Sequence, residues 1–159
     1  MKRMRPLPDI HPLLKKLQVK SETMSLLVLQ APTEYETTMK EFDMTVDQER
    51  KNETYGFIQV FGISNETIKE AAQQVLPFLQ EDGLLWLCYP KKSSKKYKGS
   101  NCSRDTVAAL LAEEGFEPVR QIAIDEDWSA LRFRPVDKIK TMKRSFAVTE
   151  KGKARTEEK

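Results

Sequence analysis

The chain has 159 residues, 39% of them apolar, and a formal net charge of +3, which fits one domain with solvated ends better than several domains. No apolar run approaches the roughly 20 residues that a membrane span requires, and two cysteines argue against a disulfide framework. The small net charge argues only weakly for nucleic acid, although the basic residues cluster at Lys2, Arg3 and Arg5, across 91–104, and after Pro135.

Residues 1–12 carry Pro6, Pro8 and Pro12, which favour extended backbone and withhold amide donors, so an N-terminal arm is expected. These prolines, with Asp9 and His11, stand where a signal peptide would have its apolar segment, and the expected location is the cytoplasm. Leu13, Leu14 and Leu17 suggest a short amphipathic turn or helix opening a single α/β domain over 13–136. Ser25-Leu-Leu-Val-Leu-Gln30 is an apolar run of strand length, as for a strand covered on both faces. Thr33 and Glu36 have capping-box spacing ahead of a helix with Tyr35, Met39 and Phe42 on one face. Residues 43–54 are polar, with a weak strand around Met44-Thr-Val46, and 55–61 is a clear strand. Ser64 is the expected cap of a helix bearing Ile68, Ala71, Ala72, Val75 and Leu79, bent or ended by Pro77. Gly83 breaks the chain before a strand over 84–89. Ser103 caps a helix carrying Val107, Ala108, Leu110 and Leu111, with Gly115 after its end. Two strands, 119–124 and 128–134, then flank the turn Asp125-Glu-Asp127. The remainder, 137–159, is a basic tail: Ile139, Met142 and Phe146 fit an amphipathic helix, and the last residues have a disordered composition.

Strands alternating with helices predict a three-layer, Rossmann-like α/β fold, with a mostly parallel sheet and a C-terminal antiparallel hairpin. This order resembles the second half of a Rossmann-type methyltransferase domain in reduced form. The resemblance implies a cofactor across the carboxyl ends of the first strands, beside a glycine-rich turn and an acid that holds ribose hydroxyls. Here the turn is Gln30-Ala-Pro-Thr-Glu-Tyr35, without glycine, and Asp47 or Glu49 would have to supply the acid. On that ground the sequence favours a scaffold lacking the S-adenosylmethionine site. Over roughly 25–135 the chain also resembles a bacterial family of unknown function with a truncated methyltransferase-like domain. The matching blocks are Ala31-Pro32, Tyr89-Pro-Lys-Lys-Ser-Ser94 and Trp128-Ser-Ala-Leu-Arg-Phe133. That likeness implies a fold and no activity, cofactor or metal.

The candidate site is the loop that leaves the 84–89 strand. Lys91, Lys92, Lys95, Lys96, Lys98 and Arg104 precede the first acid, Asp105, and Ser93, Ser94, Ser100 and Ser103 add hydroxyls. This chemistry suits a phosphate, a carboxylate or a nucleic-acid backbone; the plainer reading is a solvated lysine loop. Arg132 is the candidate bidentate support, unless it pairs with Asp125, Glu126 and Asp127, as Arg120 and Arg134 also can. Trp128 either stacks on a base or fills the core. His11, the only histidine, sits in the arm and is a poor candidate base, and two distant cysteines make no metal site. The Asp125–127 acids form a solvated turn or a weak cation site. Cys102 is either an ordinary exposed thiol or one whose pKa is lowered by the surrounding bases.

These features favour a non-catalytic domain that binds an anionic ligand or protein partner through the lysine loop. One alternative is a divergent S-adenosylmethionine-dependent methyltransferase, or another enzyme acting on an anionic small molecule. The other is a nucleic-acid-binding accessory protein. The residues do not fix an oligomeric state.

Overall fold

The computed structural model describes residues 12–19, 25–42 and 45–136. The expected arm before residue 12 and the basic tail from 137 lie outside the described residues. The described strands form one six-stranded sheet in the order β2-β1-β3-β4-β6-β5. These are β1 (Leu26–Leu29), β2 (Val46–Asp47), β3 (Tyr55–Phe61), β4 (Leu79–Pro90), β5 (Phe116–Ala123) and β6 (Trp128–Pro135). β2, β1, β3 and β4 run parallel, and β6 is inserted antiparallel between β4 and β5. The fold is therefore the expected Rossmann-like α/β arrangement with antiparallel C-terminal strands.

Alternate residues of the central strands enter opposite cores, which explains their unbroken apolar sequence. On one face, Leu26, Val28, Phe57, Phe61, Trp86 and Trp128 meet α1 (Pro12–Lys16) and α2 (Thr33–Lys40). On the other, Ile58, Val60, Leu85, Leu87 and Leu131 meet α3 (Asn65–Val75) and α4 (Arg104–Ala108). Trp86 Nε1 donates to the Leu17 carbonyl at 3.0 Å, so its indole fixes α1 as well as filling space.

Several boundaries differ from the sequence expectation. α2 begins at Thr33, but its cap is Pro32 with no side-chain bond, so the Thr33–Glu36 capping box does not form. Glu34 is instead drawn into tertiary contacts. Gly83 does not break the chain before a strand; β4 starts at Leu79 and runs through it. A Cβ there would lie 2.8 Å from Leu79 Cδ1, 3.0 Å from the Gln80 carbonyl oxygen and 3.3 Å from that of Gly56. The glycine serves close approach of the β3 and β4 backbones, where the register shifts between Tyr55 and Phe57. The third helix does end at Val75, passing into a 3-10 turn over Leu76–Phe78 that contains Pro77. Ser64 caps it as expected, accepting from the Thr67 amide. α4 covers only five residues before the chain turns through Gly115 at φ +84°. Its capping box, Ser103 with Thr106, is formed.

Candidate functional site

The parallel strands β1, β3 and β4 deliver Gln30, Gly62 and Lys91 to one edge of the sheet, their carboxyl ends. Gln30 has φ +61°, the left-handed turn that glycine adopts without steric cost. Its exposed side chain crosses to β3, where Nε2 donates to the Phe61 carbonyl at 3.0 Å. This bond offsets part of the backbone strain and fixes the turn.

Four residues on, Glu34 joins three parts of the structure. Oε2 accepts from Tyr97 OH at 2.6 Å and from Trp128 Nε1 at 3.0 Å, and Oε1 meets Lys96 Nζ at 2.9 Å. Partial burial would raise the carboxyl pKa, but the Tyr97, Trp128 and Lys96 donors outweigh it and bring it down to about 2. Burial, and then the bond to Glu34, push Tyr97 up to about 12, which keeps its hydroxyl a donor. Beneath this cluster, rings continue from Tyr97 to Trp128 (4.9 Å between centroids), Phe61 (5.1 Å) and Tyr35 (4.6 Å). Trp128 is thus a core residue, 2% exposed, with its N–H satisfied, and it is not placed to stack on a base.

The lysine loop is anchored at defined points. The Lys91 amide donates to the Asp127 carbonyl, and buried Ser94 donates its hydroxyl to Asp127 Oδ1 at 2.8 Å. Ser94 Oγ also receives the Tyr97 amide at 3.2 Å. Ser94 is therefore a loop fastener, whereas Lys92, Ser93, Lys95, Lys96 and Lys98 are exposed and Lys91 is half-buried. Asp125 receives the amides of Asp127 and Trp128 at 2.8 Å each, which closes the hairpin. The described residues contain no cluster of His, Cys, Asp or Glu suited to a metal.

Two adjoining clefts flank the start of the loop. The larger, about 340 Å³, is lined by Tyr89, Lys91, Lys92, Arg104, Asp105 and Gln121 among others. The smaller, about 160 Å³, is lined by Lys91, Lys92, Tyr97, Lys98, Ser100 and Cys102. Lys91 and Lys92 belong to both. Gln121 Nε2 donates to Tyr89 OH at 3.1 Å, joining two residues of the larger cleft's lining. The structure thus brings Lys91, Lys92, Lys98 and Arg104 together, but it turns Lys96 toward Glu34. Arg132 stands apart from this group: it is paired in register with Trp86, and its Nη1 donates to Gln18 Oε1 at 2.6 Å. Strand spacing explains the difference, because residue 128, not 132, lies opposite Pro90 at the carboxyl end of β4.

Cys102 is 3% exposed, and burial raises its pKa, so the surrounding bases do not activate the thiol. Asp47 is likewise occupied: it is buried in β2 and accepts from Tyr55 OH. The same hydroxyl receives the Lys51 and Asn52 amides. Glu49, two residues beyond β2, is exposed. Sequence reasoning missed Glu34 as a structural centre; its sole signal was an acid at the start of a helix, which ordinarily faces solvent.

The described strands and helices define a small Rossmann-like domain with a methyltransferase-like fold. No family model matches the sequence, and no curated protein matches it. Among solved structures, the chain is similar to a SAM-dependent methyltransferase from Aquifex aeolicus. The two share 13% identity with a TM-score of 0.51, over 76% of this chain and 86% of that one. It is also similar to the N-methyltransferase NodS from Bradyrhizobium japonicum WM9, with 16% identity and a TM-score of 0.49, over 77% of this chain and 92% of that one.

The Aquifex likeness corrects the expectation of a non-catalytic scaffold that binds anions through its lysine loop. That expectation rested on the missing glycine after β1. The structure weakens the premise, because Gln30 makes the left-handed turn itself. Among the described residues no helix is long and apolar enough to cross a membrane.

Proposed function

We propose that this chain is a divergent S-adenosylmethionine-dependent methyltransferase whose acceptor is an anionic small molecule. The observation that carries the reading is the left-handed Gln30 turn at the carboxyl end of β1, in a sheet whose order places β6 antiparallel beside β4. The residues fit the cofactor in backbone conformation, since Gln30 adopts the left-handed turn that glycine makes without steric cost. They fit with one condition: the Gln30 side chain, now on the Phe61 carbonyl, has to swing away from the crevice between β1 and β3.

In this reading the backbone at 30–32 would lie against the methyl donor, and exposed Glu49 would accept from ribose hydroxyls, since Asp47 is committed to Tyr55. The cofactor supplies an electrophilic methyl group when bound. The protein's own contribution is positional. Lys91 and Lys92, just after the end of β4, would hold the acceptor's negative charge. The Glu34 contacts fix the lysine loop to α2.

Calorimetric titration with S-adenosylmethionine and with its demethylated product tests the proposal. Saturable heat from both ligands, altered by Glu49→Gln, supports it. No heat from either at ligand concentrations of about 1 mM sinks it.

A further inference from the structure

The smaller cleft is lined by Lys91, Lys92, Tyr97, Lys98 and Ser100 among others, and its lining includes no carboxylate. Among the described residues none of these three lysines has an acidic partner within ion-pair distance. Gathering three ammonium groups around about 160 Å³ is unfavourable by itself, because like charges repel. The loop cannot relieve the repulsion by drifting, since it is pinned along its length. At its start, the Lys91 amide and the Ser94 hydroxyl hold Asp127. In the middle, Lys96 and Tyr97 hold Glu34. Beyond them, Asn65, the first residue of α3, donates its amide to Asn101 Oδ1 at 2.9 Å and its side-chain Nδ2 to the Asn101 carbonyl at 3.0 Å. Between these points the Ser100 amide returns to the Tyr97 carbonyl at 3.1 Å, so Lys98 rides on a closed turn. Lys95, on the same loop, lines neither cleft.

A bound anion accounts for three lysines held together in this way, and the cleft's size and donors select its class. Its volume lies well below the roughly 300–1,000 Å³ that encloses a whole small molecule, so it fits one compact group at the end of a ligand. Lysines are point charges that suit a tetrahedral phosphate, whereas a planar carboxylate is matched best by the guanidinium fork. A phosphomonoester carries about −1.5 to −2 charges at pH 7 and offsets most of the charge gathered here. A single-stranded nucleic acid needs aromatic faces for its bases. The Tyr97 ring packs on Trp128 instead, 4.9 Å between centroids, and among the described residues the only exposed large apolar side chain is Ile63.

We infer that the smaller cleft binds the terminal phosphate of a small phosphomonoester, held by Lys91, Lys92 and Lys98. As a statement of the methyl acceptor's chemical class, this rests on the methyltransferase reading given above; as a binding site, it is read from the cleft and its pinned loop.

The probes are inorganic orthophosphate and acetate, titrated calorimetrically into the full chain at constant ionic strength. Orthophosphate binds one to one and half-saturates at or below about 1 mM, and acetate binds at least about tenfold more weakly. Lys98→Gln weakens orthophosphate by about tenfold. Lys95→Gln, which removes the same charge from the same loop outside the cleft, leaves it within about twofold. Circular dichroism shows that both variants keep the fold.

Absence of saturable heat from orthophosphate up to about 10 mM overturns the inference, as does equal affinity for acetate. Equal weakening by Lys95→Gln and Lys98→Gln also overturns it, because the binding then follows diffuse charge and not the cleft. Short RNA that binds where orthophosphate does not, with affinity falling steeply with salt, overturns it and assigns the loop to nucleic acid. Titration of S-adenosylmethionine on the same samples separates the two proposals. Orthophosphate binding lost in Lys98→Gln, without cofactor heat, leaves the site standing and removes the methyltransferase reading. Cofactor heat without orthophosphate binding does the opposite.

Discussion

Replacing Glu34 by Gln changes the character of three bonds at once. The carboxylate accepts from Tyr97, Trp128 and Lys96, and an amide can keep one carbonyl toward the two ring donors while turning its NH2 against the ammonium. Charge-assisted bonds become neutral ones, which are about half as strong. The pKa gives an independent measure. The folded carboxyl is lowered from its ordinary 4.5 to about 2, so its stabilisation is complete above pH 4.5 and is lost as the pH falls toward 2.

At about 1.36 kcal/mol for each pH unit, the ceiling is about 3.4 kcal/mol. The side chains of Lys96 and Glu34 are 55% and 26% exposed, so water screens part of the interaction and about 1–2 kcal/mol is expected. Urea unfolding of the wild type and Glu34→Gln at pH 7 and pH 3 reads this directly. The wild type should be more stable by about 1–2 kcal/mol at pH 7, and that advantage should fall by half or more at pH 3. An advantage that is the same at both pH values, or absent at pH 7, refutes the assignment of Glu34 as the ionised centre of this cluster.

Gln30→Gly relieves a left-handed strain of about 1 kcal/mol, but it loses the bond to Phe61 and adds freedom to the unfolded chain. Its stability in urea should therefore stay within about 0.5 kcal/mol of wild type, and a loss above about 2 kcal/mol would show that the side chain, not the turn, holds this crevice. Gly83→Ala places a methyl against the Gln80 and Gly56 carbonyls and should cost about 1–3 kcal/mol by thermal melting; an unchanged melting temperature would mean that the β3–β4 pair is not tightly apposed. Cys102, with its pKa raised by burial, should react with iodoacetamide at pH 8 at least about tenfold more slowly in the native protein than in urea, and equal rates would contradict its placement.

The strands were legible because their apolar runs need two covered faces: 55–61 matches β3 in full, and the 128–134 alternation matches β6 to within one residue. Caps were legible where the bond is local, as at Ser64 and Ser103. Features fixed by distant residues were not. Gly83 looks like a strand break until the Gly56 backbone is placed beside it. Glu34 and Trp128 are 94 positions apart, so no local pattern reports their bond. Within the lysine loop the sequence identified the charges but could not sort them. Ser94 turns inward, Lys96 is claimed by Glu34, and Lys91 and Lys92 line the clefts. Arg132 was misplaced because strand membership alone does not say which end of the sheet a residue reaches. Register does, and it puts Trp86, not Pro90, opposite it.

The short link between β2 and β3 explains why Asp47 is committed. β2 lies on one side of β1 and β3 on the other, so residues 48–54 must carry the chain across. One hydroxyl ties the crossing to both strands: Tyr55 gives its proton to Asp47 and receives the Lys51 and Asn52 amides. A larger fold of this kind could leave the acid at the second strand to a ligand. Here compactness consumes it, because without Asp47 the hydroxyl would lose the acceptor that orients it toward the two amides. The turn at β1 is made by Gln30 instead of glycine. The carboxyl ends of β1, β3 and β4 nonetheless lie together on one edge of the sheet, with Lys91 and Lys92 following β4.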